Sequence, residues 1–379
     1  MNKLARKILA AYGIMTVIAI IYVVLNLFCN FLIKNNSTPQ IIQQFGLSRL
    51  ATLYPDMNEE QVNELLHETW NIGMEYHPFV QFSEPSFNGK YVNITKGYRK
   101  SIVDGDEFAF FGGSTTFGYG LPDHQTIPSY FSLILNQHST VTKLNGVKNF
   151  GRGFYFSSQE RSLISDLLVK KQTKPKVAIF IDGLNDSFFH HGQPIFTQEL
   201  KELMASKGSF YHLQKELINS LPLHRFLKSA FKSQPETVKS PNPPGVEMIK
   251  QVIDRYQRNI SMIHTICKLH GTKALFVWQP VPSFNFNLEK HPLYPDLNIG
   301  PHMASKYVYE SFQEKMNGLD PGLAFLDLSN LHSEFDGNHY IDTVHYSAPF
   351  SEKIAEAIFH HIESLGWLAS PLSNGSEQE

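Results

Sequence analysis

Residues 8–33 read ILAAYGIMTVIAIIYVVLNLFCNFLI, a run without one formally charged side chain. As a helix rising about 1.5 Å per residue it exceeds the roughly 30 Å hydrocarbon core of a bilayer, so the stretch is expected to be a retained transmembrane anchor. A cleaved leader normally has a shorter apolar region, about 7 to 15 residues, ended by small residues at the cleavage site, and no such site is evident here. Asn26 and Asn30 fall in the last turns, from which polar amides reach the interface. Lys3, Arg6 and Lys7 precede the run and only Lys34 follows closely. The positive-inside rule then keeps the N-terminus cytoplasmic and places everything after residue 34 in the periplasm or outside the cell. Cys29 lies within the run, without the small residues before it that lipid attachment is expected to need, and reads as embedded.

The 379 residues allow one large domain with additions or two ordinary ones. Lys and Arg number 33 against 35 Asp and Glu, a net charge of −2 that offers no attractive field to nucleic acid. Cys29 and Cys267 are the only cysteines, too few for a disulfide framework or a four-cysteine metal site. Residues 1–35 are thus expected to form a cytoplasmic tip and anchor, and 36–105 a stalk or lead-in with no clear strand pattern. Within it Asn58 and Gln61 have the spacing of a capping box. Val62, Leu65, Leu66 and Trp70 recur at helical spacing as a core-facing stripe.

From Glu107 the pattern changes. Short apolar runs at 108–111, 147–150, 177–181, 274–278 and 323–326 alternate with amphipathic stretches at 129–137, 159–171, 247–270, 302–316 and 351–365. Buried strands alternating with helices predict a parallel sheet covered on both faces, a three-layer α/β domain over 106–366. One connection is oversized: residues 187–246 separate the third strand from its helix, where about 2 to 6 residues are usual. They form an insertion, partly helical over 213–221 and Pro-rich over 233–245. Residues 367–379 are expected to be a frayed tail.

In such a domain ligands meet the loops that follow the strand ends. The first strand runs into Gly112, Gly113, Ser114, Thr115 and Thr116. Two glycines permit a sharp turn that exposes a serine at a strand-to-helix junction, where backbone N–H groups favour a developing anion; an ordinary Gly/Ser/Thr turn has the same composition. The second strand is followed by Gly151, Arg152, Gly153 and Phe154, a turn that permits close backbone approach. After the third come Asp182, Gly183, Leu184, Asn185 and Asp186, where an asparagine amide can donate to an oxyanion or simply make an Asn/Asp turn. Before the last helix, Asp342 and His345 stand three residues apart on one loop. A carboxylate so placed can hold one imidazole nitrogen and leave the other facing a nucleophile.

Taken together, Gly113-Ser114, Gly151 to Gly153, Gly183-x-Asn185-Asp186 and Asp342-x-x-His345 stand in the order and approximate spacing of the SGNH, or GDSL-like, hydrolase superfamily, which the chain resembles over residues 105–366. The resemblance implies a flavodoxin-like three-layer α/β/α fold with a five-stranded parallel sheet, and hydrolysis of acyl esters or transfer of acyl groups. It implies Ser114 as nucleophile, His345 as general base and Asp342 as the group that orients it. The implied oxyanion hole comprises the backbone N–H of Ser114, a glycine-loop N–H and the Asn185 side chain. Two positions depart from the family pattern. Gly113 stands where an aspartate usually precedes the serine, and Phe154 where Asn-x-Gly-x-x-Gly would place its second glycine. The loop donor is one of the N–H groups of Gly151, Gly153 and Phe154, and is taken as that of Gly153.

Adjacent His190 and His191 do not converge on one ion from a regular element, and no further residue has a zinc spacing to them, so neither a metal nor another cofactor is expected. Arg152 could meet an anionic substrate group or form a structural pair. Gln279, at the end of the fourth strand, could contact substrate but reads first as a satisfied strand-end amide. The expected function is that of a single-pass, membrane-anchored serine esterase removing acyl groups, acetyl foremost, from an envelope or extracellular carbohydrate. The same triad would serve an O-acyltransferase, for which a membrane partner delivering the acyl donor is expected. A lipid esterase with the insertion as its lid, and a non-catalytic binding or assembly module, are the other readings.

Overall fold

The computed structural model describes residues 3–35, 38–95, 97–138, 146–205, 218–230 and 244–368. They fall into two units, Met1–Thr38 with Phe196–Val238, and Pro39–Ile195 with Lys239–Glu379. The second unit carries strands β1 (Glu75–His77), β2 (Gln81–Ser83), β3 (Phe87–Asn88), β4 (Asn93–Thr95), β5 (Tyr98–Lys100), β6 (Phe108–Gly112), β7 (Val147–Asn149), β8 (Val177–Asp182), β9 (Lys273–Trp278) and β10 (Ala324–Asp327). β1 and β2 pair with each other, and the remaining strands form one sheet in the order β10-β9-β8-β6-β7-β5-β4-β3.

The five apolar runs of the sequence are β6 to β10, and every pair among them is parallel. Numbered along the chain they lie in the order 2-1-3-4-5, that of flavodoxin-like sheets, with the direction of winding reversing between β6 and β8. The sheet does not stop at five strands, however. β5, β4 and β3 extend it past β7 in antiparallel pairing, so the expected count holds for the parallel part and is corrected for the sheet as a whole. The added strands are two or three residues long. That is too short for alternation to show, which is why 36–105 reads as strandless in sequence.

β6 and β8 bury every residue because helices cover both faces of the sheet. On one face Phe108, Phe110, Ile179 and Ile181 meet Ile127 and Phe131 of the helix Ile127–Gln137, and Phe350, Ile354 and Ile358 of the helix Ala348–Ser364. On the other, Phe111, Phe180 and Phe276 stack at centroid distances of 4.8 and 5.5 Å, covered by the helices Ser157–Val169 and Val246–Leu269. Each buried phenylalanine contributes about 1.5–3 kcal/mol. Val246–Leu269 lies flat on the sheet because Val252, Ile253, Tyr256, Ile260, Ile263 and Cys267 recur every three or four residues on its buried side. Burial pushes the Cys267 thiol up to about 12, which leaves it a small inert hydrophobe.

The lead-in is part of the same unit. Asn58 and Gln61 cap the helix Glu59–Trp70 reciprocally, an arrangement worth about 1 kcal/mol. Val62, Leu65 and Leu66 from that helix pack with Ile41, Leu50, Leu293 and Ile341. In the first unit, the helix Lys3–Asn35 contains the apolar window Ala11–Phe31, of mean hydropathy 2.3, long enough to cross a membrane. The helices Thr197–Ala205 and Pro222–Ala230 belong with it. Residues 213–217 of the helix expected in the insertion, 233–243 of its Pro-rich stretch and the tail from 369 lie outside the described residues.

Candidate active site

Ser114 and Asn185 follow β6 and β8, the two strands that flank the reversal of the sheet, where the loops diverge and leave a crevice. Gly113 is extended, and Ser114 opens the short helix Ser114–Phe117, so its N–H has no acceptor within the helix. Asp342 and His345 lie between β10 and the helix Ala348–Ser364. Their loop is closed by the Ile341 N–H donating to the His345 carbonyl at 2.9 Å, and by the Tyr346 hydroxyl donating to the Pro280 carbonyl at 2.6 Å.

The structure brings the three expected residues together. His345 Nε2 is 2.8 Å from Ser114 Oγ, and His345 Nδ1 is 2.6 Å from Asp342 Oδ2. The other carboxylate oxygen, Oδ1, accepts the N–H groups of Val344 at 2.9 Å and His345 at 2.7 Å. Burial alone would raise the Asp342 carboxyl, but the charge and hydrogen bond of His345 and the two backbone donors outweigh it and hold the group below the ordinary carboxylate range. An ionised Asp342 fixes the proton of His345 on Nδ1 and leaves Nε2 as the acceptor facing the serine hydroxyl. Behind the loop, His291 Nδ1 accepts from the Leu293 N–H at 3.2 Å, so its Nε2 is the donor to the Asp342 carbonyl at 3.0 Å. Burial drives His291 down to about 4, in keeping with that neutral tautomer.

Asn185 reaches the same place from β8. Its Nδ2 donates to the Tyr155 carbonyl at 2.7 Å, and a β-carbon at Gly113 would stand 2.4 Å from that nitrogen. The glycine before the serine is therefore a condition for the asparagine to lie alongside it. Asp186 secures the turn, its carboxylate accepting the Ser157 hydroxyl at 2.5 Å and the Ser157 N–H at 3.2 Å. Gly183, at φ +122, is needed for the same turn, since a β-carbon there would meet the Tyr309 hydroxyl at 2.2 Å. Gly113, Ser114, Thr115, Asn185 and Gln279 line a cavity of about 10 Å³, room for one oxygen-sized group.

The glycine loop is where the structure departs from expectation. Gly153 is buried, and its N–H donates to Glu84 Oε1 at 3.0 Å, so the backbone donor taken for the oxyanion is committed to a carboxyl of the lead-in. Burial pushes Glu84 up, against the opposing pull of Arg152 and the Gly153 N–H. Phe154, standing where the family pattern has glycine, adopts the left-handed φ of 64 that explains the pattern's preference. Arg152 is a brace: it is buried, donates from Nη2 to the Gly97 carbonyl at 2.7 Å and lies over the Tyr155 ring. Gln279 is buried and its Oε1 accepts from the Thr115 hydroxyl at 3.3 Å, but its Nε2 finds no acceptor among the described residues, so the amide is only half satisfied.

Four groups around the site carry no motif. Tyr119 stacks on His345 with centroids 5.6 Å apart, and Trp70 meets the same ring edge-on at 5.7 Å. His302 stacks on Phe188, the last residue of the helix that carries Asn185, and burial lowers it to about 4. Glu84 is the fourth. Trp70 was legible only as the end of a core stripe, Tyr119 stands five residues after Ser114 but outside its motif, and His302 and Glu84 come from segments far from the Ser and His motifs.

No family model and no curated protein matches this chain. It is similar to solved structures of acyl hydrolases. A lipolytic protein of the G-D-S-L family from Desulfitobacterium hafniense is 11% identical, with 68% of this chain and 99% of that one covered at a TM-score of 0.36. An acetylxylan esterase from Geobacillus stearothermophilus is 15% identical, with 72% and 100% covered at 0.35. TesA is 12% identical, with 68% and 98% covered at 0.37.

Proposed function

We propose that this chain is a membrane-anchored serine esterase that removes acyl groups, acetyl foremost, from a carbohydrate of the cell envelope or its exterior. The observation that carries the reading is the unbroken line of hydrogen bonds from Asp342 through His345 to Ser114 Oγ. Ser114 Oγ attacks the ester carbonyl as its proton passes to His345 Nε2, and the imidazolium that forms faces the ionised Asp342. The oxyanion is held by the Ser114 N–H and by the second hydrogen of the Asn185 amide, the first being spent on Tyr155. His345 returns its proton to the leaving alkoxide. Water then enters, loses a proton to His345, and releases the acid and free Ser114 by the same steps in reverse.

Trp70 and Tyr119 support a sugar as the leaving group, since their half-buried aromatic rings lie against His345, the group that would protonate the departing alcohol. The apolar window Ala11–Phe31 supports the anchor, and Lys3, Arg6 and Lys7 before it support a cytoplasmic N-terminus. The test is acetate release from nitrophenyl acetate and from acetylated xylo-oligosaccharides by the full chain in detergent, beside Ser114→Ala. Turnover and covalent organophosphonate labelling that both vanish in Ser114→Ala establish the nucleophile. Acyl groups gained by added oligosaccharide would turn the reading to transfer, and wild-type protein that neither turns over nor labels would end it.

A further inference from the structure

The helix Pro222–Ala230 presents an apolar face that the described residues leave exposed. Phe226 and Leu227 are 37% and 42% exposed, and Ile218 just before the helix is 50% exposed. Yet the helix is not adrift, because it packs on Lys3–Asn35 and the Leu223 N–H donates to Asn26 Oδ1 at 3.1 Å. Asn26 lies five residues before Phe31, the end of the apolar window, hence roughly 7.5 Å inside that end at 1.5 Å per residue. An amphipathic helix lying in a membrane interface sits about 5–10 Å into the boundary between headgroups and acyl chains, the same depth.

The polar groups at this junction are arranged as that depth requires, where an unsatisfied backbone group costs several kcal/mol. Pro222 has no N–H to satisfy, Asn26 Oδ1 takes the N–H of Leu223 in the first turn, and Asn26 Nδ2 returns to the Tyr22 carbonyl at 2.9 Å. Arg225 is exposed, and His224 and Lys228 add further basic character to the same short helix, as suits anionic headgroups. We infer that Pro222–Ala230 lies in the plane of the membrane that Lys3–Asn35 crosses, with Phe226 and Leu227 among the acyl chains. The insertion is thereby a second membrane contact of this chain. The inference rests on the proposed anchor, since a bilayer must surround Lys3–Asn35 for one to cover its neighbour.

The experiment uses the full chain in nanodiscs of phosphatidylcholine and phosphatidylglycerol, with an environment-sensitive fluorophore on Leu227→Cys, Arg225→Cys or Val17→Cys. Cys29→Ala removes the other thiol of the span, and Cys267 is buried and unreactive. Quenching by lipids with a nitroxide at acyl carbon 5 or 12 and by aqueous iodide reports depth. The expected result is a Val17 label quenched best from carbon 12, a Leu227 label quenched best from carbon 5, and iodide quenching at least threefold weaker at Leu227 than at Arg225. A Leu227 label as open to iodide as Arg225, with Val17 in lipid, overturns this inference and leaves the anchor standing. A Val17 label in water removes the anchor and this inference together.

Discussion

One sheet is built here in two ways. Its parallel part, β6 to β10, consists of runs of three to six residues on a buried scaffold, and places Ser114 and Asn185 at two of its strand ends. Its antiparallel part, β3 to β5, has strands of two and three residues, and lends the site no nucleophile or base. The second part nevertheless holds the first in shape. Arg99, on β5, is fully buried and spends its guanidinium on the carbonyls of Phe117, Gly118 and Leu121 and on Asp123 at 2.8 Å, gripping the end of the helix that begins at Ser114. The separately paired β2 and its flanking residues brace as well: Tyr155 donates to the Phe82 carbonyl, Gln159 to that of Val80, and Gly153 to Glu84. The comparison separates two jobs, the proposed chemistry at the ends of strands that the core rigidifies, and bracing by a segment whose own strands are too short to stand alone.

The largest effect expected belongs to the first job. Asp342→Asn reverses the preferred proton position on His345 and should lower kcat by about 10⁴-fold, read from steady-state hydrolysis of nitrophenyl acetate with folding checked by circular dichroism. A loss below tenfold would mean that the Asp342–His345 bond is structural. Next comes Arg99→Ala, which takes the cation from Asp123 and the donor from three carbonyls and should cost about 3–5 kcal/mol in denaturant unfolding, against less than about 0.5 kcal/mol for Lys170→Ala, whose side chain is exposed to solvent. Equal effects from the two would show that Arg99 braces the fold no more than a surface lysine does.

Smaller and more local, Gly113→Ala pushes the Asn185 amide aside and should reduce kcat by about 10²-fold, the scale of one lost oxyanion donor. Combined with Asn185→Ala it should cost little more than either alone, because both remove the same group; full additivity in a double-mutant cycle would refute the shared cause. Last is a pH effect. His291 titrates near 4 when folded and about 6.5 when unfolded. Between those values the unfolded chain binds more protons and the contribution of His291 is lost as pH falls. Wild type should therefore lose stability relative to His291→Gln as pH is lowered from about 6.5 to about 4, measured as the gap between urea midpoints. A gap independent of pH would show that His291 carries no such shift.

Much of the site is legible because its chemistry is local in the chain. Gly113 and Ser114 are adjacent, Asn185 and Asp186 close one strand, and Asp342 and His345 share a loop, so each piece shows in a few residues. The braces are not. Glu84 and Gly153 are distant in the chain and joined by one hydrogen bond, and no spacing rule relates them. Tyr119 and Trp70 look like core aromatics until the fold sets both rings against His345.

The order and composition of the chain alone determined the apolar N-terminal span, the alternation of buried strands and helices, and the identity of the three residues that meet at Ser114. The first two follow from solvation and from periodicities of a few residues, which a linear sequence displays directly, and the third from the order and spacing of short motifs and the resemblance they carry. Only the tertiary structure decided that the lead-in completes the sheet, that the Gly153 N–H is held by Glu84, and that Asn26 caps Pro222–Ala230. Each is a single hydrogen bond or a pairing of very short strands between distant segments, and its energy exists only once the rest of the chain has brought its partners within reach.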